Sequence, residues 1–324
     1  MDFLQMTFSV SGVTTNLLVP PLVSMIISFF TSMGGISGAF LLLPFQMSAL
    51  GYTAPSVSGT NHVFNIVAIP SGVCRYIKEG RMAWPLTWVV IVGTLPGVFL
   101  GYYIRVLYLP HPKNFKLFVG CVLLYIGVRL VRDLLAGKES RSAAAKALED
   151  KFKARTEEIR NKQGARVAAG LPADAVVKTI SVSMRKVEYG FWGERYSFHT
   201  MGMFALAFVV GIIGGAYGIG GGAIIAPFCV AFFRLPIYSI AGATLMGTFI
   251  TSVAGAAFFS LIPAANGISP MPDWPLGILF GIGGFLGMYL GAKTQKYLPQ
   301  KVIKTIVGAA ILFLAVSYIK QYFI

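Results

Sequence analysis

The chain has 324 residues, of which 56% are apolar and only 12% are charged. A soluble domain carries about 25% charged residues, so this composition excludes an ordinary soluble protein and indicates an integral membrane protein with many spans. The net charge of +15 is typical of basic cytoplasmic loops in such a protein, and we expect no nucleic-acid partner.

Apolar segments of roughly spanning length predict transmembrane α-helices in two groups separated by a polar interval. The first group covers 18–50, 54–77, 86–108 and 114–135, and the second covers 200–233, 237–262, 274–294 and 302–322. The apolar runs are continuous and do not alternate with polar residues, which favours helices over a β-barrel. The predicted fold class is therefore an all-α polytopic membrane protein.

The interval between the two groups differs in kind. The stretch "RSAAAKALEDKFKARTEEIRNKQ" predicts an amphipathic helix outside the membrane, and "VVKTISVSMRKVEYGFWGERYSF" alternates as a pair of strands would. We divide the chain into a first transmembrane repeat (1–136), a cytoplasmic insert (137–197) and a second transmembrane repeat (198–324). The insert is a small domain, a regulatory surface or an ordered linker, and the sequence leaves the three alternatives open.

Two of the most apolar segments are broken by glycines in the same way, in "MGGISGAFLLLPF" (33–45) and in "YGIGGGAIIAPF" (217–228). A shift of 183 positions brings Gly35 onto Gly218, Gly38 onto Gly221, Pro44 onto Pro227 and Phe45 onto Phe228. Further along, Trp84-Pro85 matches Trp274-Pro275. An internal duplication of this kind is a recurrent architecture of secondary transporters.

The positive charges indicate how the two halves are oriented. In the first half they follow the second and fourth segments, whereas in the second half they lie between the last two segments. Under the positive-inside rule, equivalent loops then face opposite sides, which requires an odd number of crossings in each half.

The segment 18–50 would be roughly 50 Å long as one helix, too long for a hydrocarbon core of about 30 Å. We therefore predict inverted repeats in the plasma membrane (the inner membrane), whose broken first segments fold back as two short spans or as a re-entrant pair. In this topology Arg105, Lys113 and Lys116 lie on the outer side of the membrane, opposite the cytoplasm.

An interrupted helix inside a membrane points its free N–H groups and the positive end of its dipole into a cavity, which suits an anion. We therefore predict a substrate site at the two breaks and on the helices that follow them, made of Ser37, Gly38, Ala39, Thr60, Asn61, His62, Asn65, Arg75, Gly220, Gly221, Gly222, Thr244 and Thr248. The polar residues after the first break are expected to stripe one side of their helix.

Several of these residues have a structural alternative. Small residues also allow close helix packing, which we prefer for "GVFLG" (97–101) and "GGFLGMYLG" (283–291). The hydroxyl and amide side chains could simply join helices. His62 is a proton carrier, a ligand donor or a packing residue, and Arg75 either contacts the anion or extends to the membrane interface.

Chemistry of other kinds is not indicated. The Asp and Glu residues of the predicted spans are confined to their edges (Glu79, Asp133 and Asp273), and the chain has no Walker motif, no His–Glu metal pair and no nucleophile elbow. We expect no enzyme, no cofactor and no metal site.

Each half carries a glycine–proline motif and a polar helix after it. The first half has "GGISGAFLLLPF" followed by "GYTAPSVSGTNHVFNI", and the second has "GIGGGAIIAPF" followed by "AGATLMGTFITS". These motifs resemble those of the sulfite exporter TauE/SafE family, also called the 4-toluene sulfonate uptake permeases. The resemblance covers both halves but not the insert. It implies secondary transport of a sulfur oxyanion or an organosulfonate such as sulfite or sulfoacetate, along a path lined by the two glycine–proline motifs. Ser37 and Ala39 stand where family members commonly have glycine.

The sequence thus predicts a secondary transporter of a small sulfur-containing anion. Export is favoured, and coupling to protons is left open. Two rivals remain: an uncoupled anion channel, and a membrane-embedded anion-binding or signalling protein that uses the insert as its output surface. The expected partners are the anion, protons and the lipid bilayer, and a homodimer is left open.

Overall fold

A computed structural model describes residues 4–33, 37–78, 80–135, 176–191, 194–235, 237–263, 269–294 and 300–323. These residues are mostly helical, and their strands form a two-stranded and a three-stranded antiparallel sheet. The predicted all-α membrane fold is confirmed in this part of the chain.

The first half contains β1 (Gln5–Thr7), β2 (Thr14–Asn16), α1 (Val19–Met33), α2 (Ala39–Ser48), α3 (Ser56–Ala68), α4 (Pro70–Lys78), α5 (Trp84–Tyr103) and α6 (Pro112–Leu135). A short π-helix, Ile104–Tyr108, continues α5. The second half contains β3 (Val177–Val182), β4 (Lys186–Phe191), β5 (Glu194–His199), α7 (Thr200–Tyr217), α8 (Gly222–Phe233), α9 (Ile237–Leu261), α10 (Trp274–Thr294) and α11 (Gln300–Phe323).

Within the described residues, six helices are long and apolar enough to cross a membrane: Trp84–Tyr108, Pro112–Arg132, Thr200–Tyr217, Ser239–Leu261, Trp274–Gly291 and Thr305–Phe323. The helices Val19–Ser32 and Ala39–Ser48 are apolar but shorter. The chain is therefore a multi-pass membrane protein.

Both glycine clusters interrupt their helices, as predicted. One helix ends at Met33 and the next begins at Ala39, with residues 34–36 outside the described part. In the second cluster Gly218 and Gly220 have φ angles of 87° and 76°, a left-handed conformation that glycine adopts without steric cost and that ends α7.

The two broken segments fold back as hairpins. Phe233, at the end of α8, packs against Phe198 just before α7 begins, with ring centroids 6.4 Å apart. Thr60 lies beside both ends of the first hairpin, α1–α2. Its hydroxyl is 3.0 Å from the Tyr52 hydroxyl after α2, and it accepts a bond from the backbone N–H of Asp273. Asp273 in turn accepts bonds from Ser11, which precedes α1.

The hairpins enter the bundle from opposite ends. α3 and α9 run antiparallel through the centre, because Gly59 packs against Phe259 and His62, one turn later, packs against Gly255. The first hairpin opens at the end near Asp273 (the Asp273 end), whereas the second opens at the end covered by β3–β5 (the sheet end). Inverted repeats would have this relation, and their placement in the bilayer stays a prediction.

Glycine seams join the halves reciprocally. A methyl group at Gly97 or Gly101 of α5 would overlap the backbone of α7, and one at Gly283, Gly287 or Gly291 of α10 would overlap the backbone or side chains of α1. The preferred packing interpretation of "GVFLG" and "GGFLGMYLG" is therefore confirmed. Each half supplies one seam helix to the other, so neither half packs alone.

The described part of the insert forms three strands where the sequence predicted two. Val187, Tyr189 and Phe191 of β4 alternate toward the interior and are buried. The Tyr189 hydroxyl is 2.8 Å from Ser239 Oγ at the start of α9, and burial raises the pKa of Tyr189. The sheet is thus fastened to the transmembrane bundle. The predicted amphipathic helix at 141–163 lies outside the described residues.

Replacement of Gly97 by alanine tests the seam between α5 and α7. The added methyl overlaps the backbone of Phe208 and Gly211, so we expect a destabilisation of about 1–3 kcal/mol, measured by thermal melting in detergent. Gly308→Ala is the matched control, since its methyl would meet only the side chain of Leu130, at 3.2 Å at the closest. Equal melting temperatures for the two variants would contradict the seam.

Candidate functional site

The two breaks meet at one amide side chain of α3. Asn65 Nδ2 donates to the carbonyl oxygen of Ile219 in the second break, at 3.0 Å. Ser37 Oγ in the first break donates to Asn65 Oδ1, at 3.4 Å. Asn65 therefore satisfies backbone that has left a helix in one half and holds it against the break of the other half.

Helix α9 holds the second break. The backbone N–H of Gly221 donates to Thr251 Oγ1 at 3.1 Å. Side chains at Gly220 or Gly222 would overlap Thr248, and in the first case also the Ser252 hydroxyl. Glycine is required here because the unwound backbone lies directly on the polar face of α9.

Helix α3 holds the first break in a similar way. Asn61 Nδ2 donates to the carbonyl oxygen of Ala39 at 3.2 Å, and the N–H of Ala39 donates to Ser37 Oγ at 3.3 Å. Gly38 lies against the hydroxyl of Ser28 on α1. The Tyr217 hydroxyl, at the end of α7, donates to the carbonyl oxygen of Phe40 at 2.8 Å. The first turn of α2 is thus tied to both halves.

The cluster is closed to solvent and built from neutral groups. Asn61 and Asn65 are fully buried, and Thr248 and Ser37 are only 1% and 7% exposed. The buried carboxylate among the described residues, Asp273, is engaged with Ser11 at the far end of α3. Hydroxyl, amide and backbone N–H groups at two half-helix starts can bind an anion without the cost of burying a fixed charge.

Other predicted residues lie elsewhere or use their polar atoms locally. Thr60 contacts Tyr52 and Asp273 rather than the breaks. The hydroxyls of Thr244 and Thr248 donate to carbonyls of their own helix, at 3.0 and 2.9 Å. Arg75 belongs to α4, but its side chain is outside the described part of the structure.

His62 is fully buried and packs against Gly255 and the ring of Phe259, whose centroid is 6.0 Å away. Neither ring nitrogen makes a hydrogen bond of good geometry among the described residues, although the backbone of Gly215 lies near the ring. The role of His62 as a proton carrier or ligand donor stays a prediction.

Of the residues predicted to stripe one side of α3, Ser58, His62 and Asn65 share a face, whereas Thr60 points away from them toward Tyr52 and Asp273. Every residue from Ser56 to Asn65 is buried, because α3 is surrounded by α2, α9 and α10. Thr60 and Asn61 face the first hairpin and the Asp273 end, whereas Ser58 and Asn65 face the second break.

Two residues at the second break and one at the Asp273 end were left out of the predicted site. Ser58 Oγ donates to the carbonyl oxygen of Ala216 at 2.9 Å, and the side chain of Thr94 packs against Gly221. Arg105 is fully buried at the Asp273 end and does not lie in an outside loop as predicted. A lone arginine in the apolar run "YYIRVLYL" was the available signal.

Comparison with known proteins decides the family. The family model described as "Sulfite exporter TauE/SafE" matches residues 21–318. The chain belongs to this family. It is 22% identical over 299 residues to the "Probable membrane transporter protein YunE" of Bacillus subtilis (strain 168), covering 90% of this chain and 92% of that protein. No solved structure matches it significantly.

A second similar protein from Bacillus subtilis (strain 168), the "Probable membrane transporter protein YdhB", is 26% identical over 117 residues, which is 36% of this chain and 45% of that protein. The TauE/SafE match extends over both glycine-broken segments. The protein is therefore a multi-pass membrane transporter of the TauE/SafE family.

Replacement of Asn65 by alanine tests the link between the breaks. The variant leaves the Ile219 carbonyl without its donor, and we expect a loss of about 1–3 kcal/mol of folding stability together with loss of transport. Unfolding in detergent measures the change in stability, and anion flux into proteoliposomes measures the loss of transport. Asn114→Ala, at an exposed position, is the control. An Asn65 variant as stable and active as this control would show that the link is dispensable.

Proposed function

We propose that this TauE/SafE transporter carries a small sulfur oxyanion or organosulfonate, such as sulfite or sulfoacetate, through the site where the two breaks meet. The family description supports the substrate class. The observation that carries the proposal is the bond set of Asn65, which brings the starts of α2 and α8 to one place.

The chemistry of this place fits an oxyanion. Two half-helix starts lie close together there, and a helix start presents backbone N–H groups and the positive end of the helix dipole. The N–H groups of Ala39 and Gly221 are occupied by the hydroxyls of Ser37 and Thr251 in this conformation. An anion replaces these neutral acceptors with stronger, charge-assisted ones.

The opposed hairpins supply a route for alternating access. The first hairpin separates the site from the Asp273 end, and the second separates it from the sheet end. Movement of one hairpin against α3 and α9 opens one side while the other stays closed, as in other transporters with repeated halves. The cluster is closed to solvent, and we take it as the occluded state of such a cycle.

Export is the favoured direction. Exposed basic residues gather at the sheet end, among them Lys78, Arg132, Lys178 and Arg185. Under the positive-inside rule they support a cytoplasmic position for that end and for the insert, at the plasma membrane. An inside-negative potential then favours anion exit by about 2.3 kcal/mol per charge per 100 mV. His62 is the residue we assign to any coupled proton, since it is a titratable side chain fully buried inside the bundle.

Anion binding tests the substrate class. We expect sulfite at about 100 times its dissociation constant to stabilise the purified protein by about 2.7 kcal/mol, measured by thermal melting against sulfate, thiosulfate, sulfoacetate, taurine, acetate and phosphate at matched ionic strength. Thr248→Val should remove the effect. Thr87→Val is the matched control, because Thr87 is equally buried and bonds its own helix in the same way but lies away from the breaks.

Stabilisation by no sulfur-containing anion would contradict the substrate assignment while leaving the family unchanged. Flux into proteoliposomes separates the mechanisms. A saturable flux that responds to an imposed pH gradient supports a proton-coupled transporter, whereas an unsaturated flux that follows the potential alone supports an uncoupled channel.

A further inference from the structure

Arg105 is a full positive charge buried inside the bundle. It lies in the π-helix that continues α5 and has no exposed surface. Its guanidinium donates to Ser58 Oγ at 3.3 Å, to the carbonyl oxygen of Thr53 at 3.1 Å and to the carbonyl oxygen of Leu109. The plane stacks on the ring of Phe115, 3.6 Å from its centroid. All of these partners are neutral.

A buried cation without a counter-charge is unusual. Taking one ion out of water costs several kcal/mol, and carbonyl groups and an aromatic ring offset that cost only in part. Within the described part of the chain, Arg105 forms no ion pair with a carboxylate. Ionisable residues inside transmembrane segments often mark substrate or ion pathways.

The side chain is connected to the candidate site by a line of polar groups on α3. Ser58, His62 and Asn65 are spaced by four and three residues, so they share one face of the helix. Ser58 accepts the bond from Arg105 and donates to Ala216, two residues before Gly218, while Asn65 binds Ile219. Ser58 and Asn65 are seven residues apart on α3, which is roughly 10 Å along the helix axis. Arg105, bonded to Ser58, is therefore about that far along α3 from Asn65.

We propose that Arg105 forms a second anion subsite on the transport path, between the central cluster and the Asp273 end of the bundle. The inference rests on the proposed function and names where the oxyanion binds after it leaves the breaks. The planar guanidinium suits two oxygens of one oxyanion. The anion takes the donors now given to Thr53 and Leu109, whose carbonyls lie in loops at that end and can be hydrated when they are released.

Ser58 makes the subsite sensitive to the state of the second break. Its hydroxyl stands between the guanidinium and the carbonyl oxygen of Ala216 at the end of α7. When the second hairpin moves, the Ser58 bond to α7 changes together with the bond that Arg105 gives it. Release from the central cluster and capture at Arg105 are thereby linked through one side chain.

Modification of the unaltered protein by phenylglyoxal, an arginine-selective reagent, tests the subsite. Mass spectrometry follows Arg105 and, as an internal control, the exposed Arg195. At an anion concentration about ten times the dissociation constant, we expect Arg105 to react about tenfold more slowly and Arg195 to be unaffected. The anions are sulfite, sulfate, thiosulfate, sulfoacetate and phosphate.

The outcomes separate this inference from the proposed function. Protection of Arg105 without any flux of a sulfur anion supports the subsite and contradicts the function. Saturable sulfite flux without protection contradicts the subsite and leaves the function standing. Complete failure of Arg105 to react while Arg195 is modified also overturns the subsite, because a position on the path must open to water.

A variant pair distinguishes binding from a structural role. Arg105→Lys keeps the charge but loses the planar fork, and we expect about a tenfold increase in KM for the anion with a smaller change in kcat. Lys113→Gln removes an exposed cation near the same end and should leave KM unchanged. A KM for Arg105→Lys equal to that of the wild type would contradict an anion subsite.

Discussion

Backbone that leaves a helix inside a membrane must find its hydrogen-bond partners within the protein, and this constraint shapes the centre of the transporter. The carbonyl of Ile219 and the hydroxyl of Ser37 belong to breaks in different halves, and both are bonded to Asn65. The backbone N–H groups of Ala39 and Gly221 donate to the hydroxyls of Ser37 and Thr251. In the proposed function an anion replaces these two acceptors, so groups that satisfy the broken helices also form the site.

The glycine seams provide the frame that holds these breaks in register. Because α5 packs on α7 and α10 packs on α1, each hairpin is anchored by a helix of the opposite half. The close approach depends on the absence of side chains along one face of each seam helix. In the proposed alternating access, a moving hairpin slides along a helix of the other half, which would connect access at one end of the bundle to closure at the other.

Much of this architecture follows from the sequence. The two glycine–proline clusters place the breaks, the Trp-Pro pairs start α5 and α10, and the glycine spacing in "GGFLGMYLG" predicts a packing face. These features are local, and the physical rules for them are local as well. The duplication adds that whatever holds for one half has a counterpart in the other.

The contacts that complete the site are not local. Asn65 and Ile219 are 154 residues apart, and their meeting depends on how the halves pack. The burial of Arg105 has the same origin, since Ser58, Thr53 and Phe115 come from three different segments. A helical pattern also gives no warning that α3 is enclosed on all sides, which is why its polar residues divide between two faces.

The most direct test of the account is the location of an oxyanion in the protein itself. Selenite replaces sulfite and marks its position by the anomalous scattering of selenium in crystals of the purified transporter. The account predicts a selenium peak within hydrogen-bond distance of the Asn65 side chain and of the backbone at Gly220–Gly222. Selenium bound only among the exposed basic residues of the sheet end would contradict it.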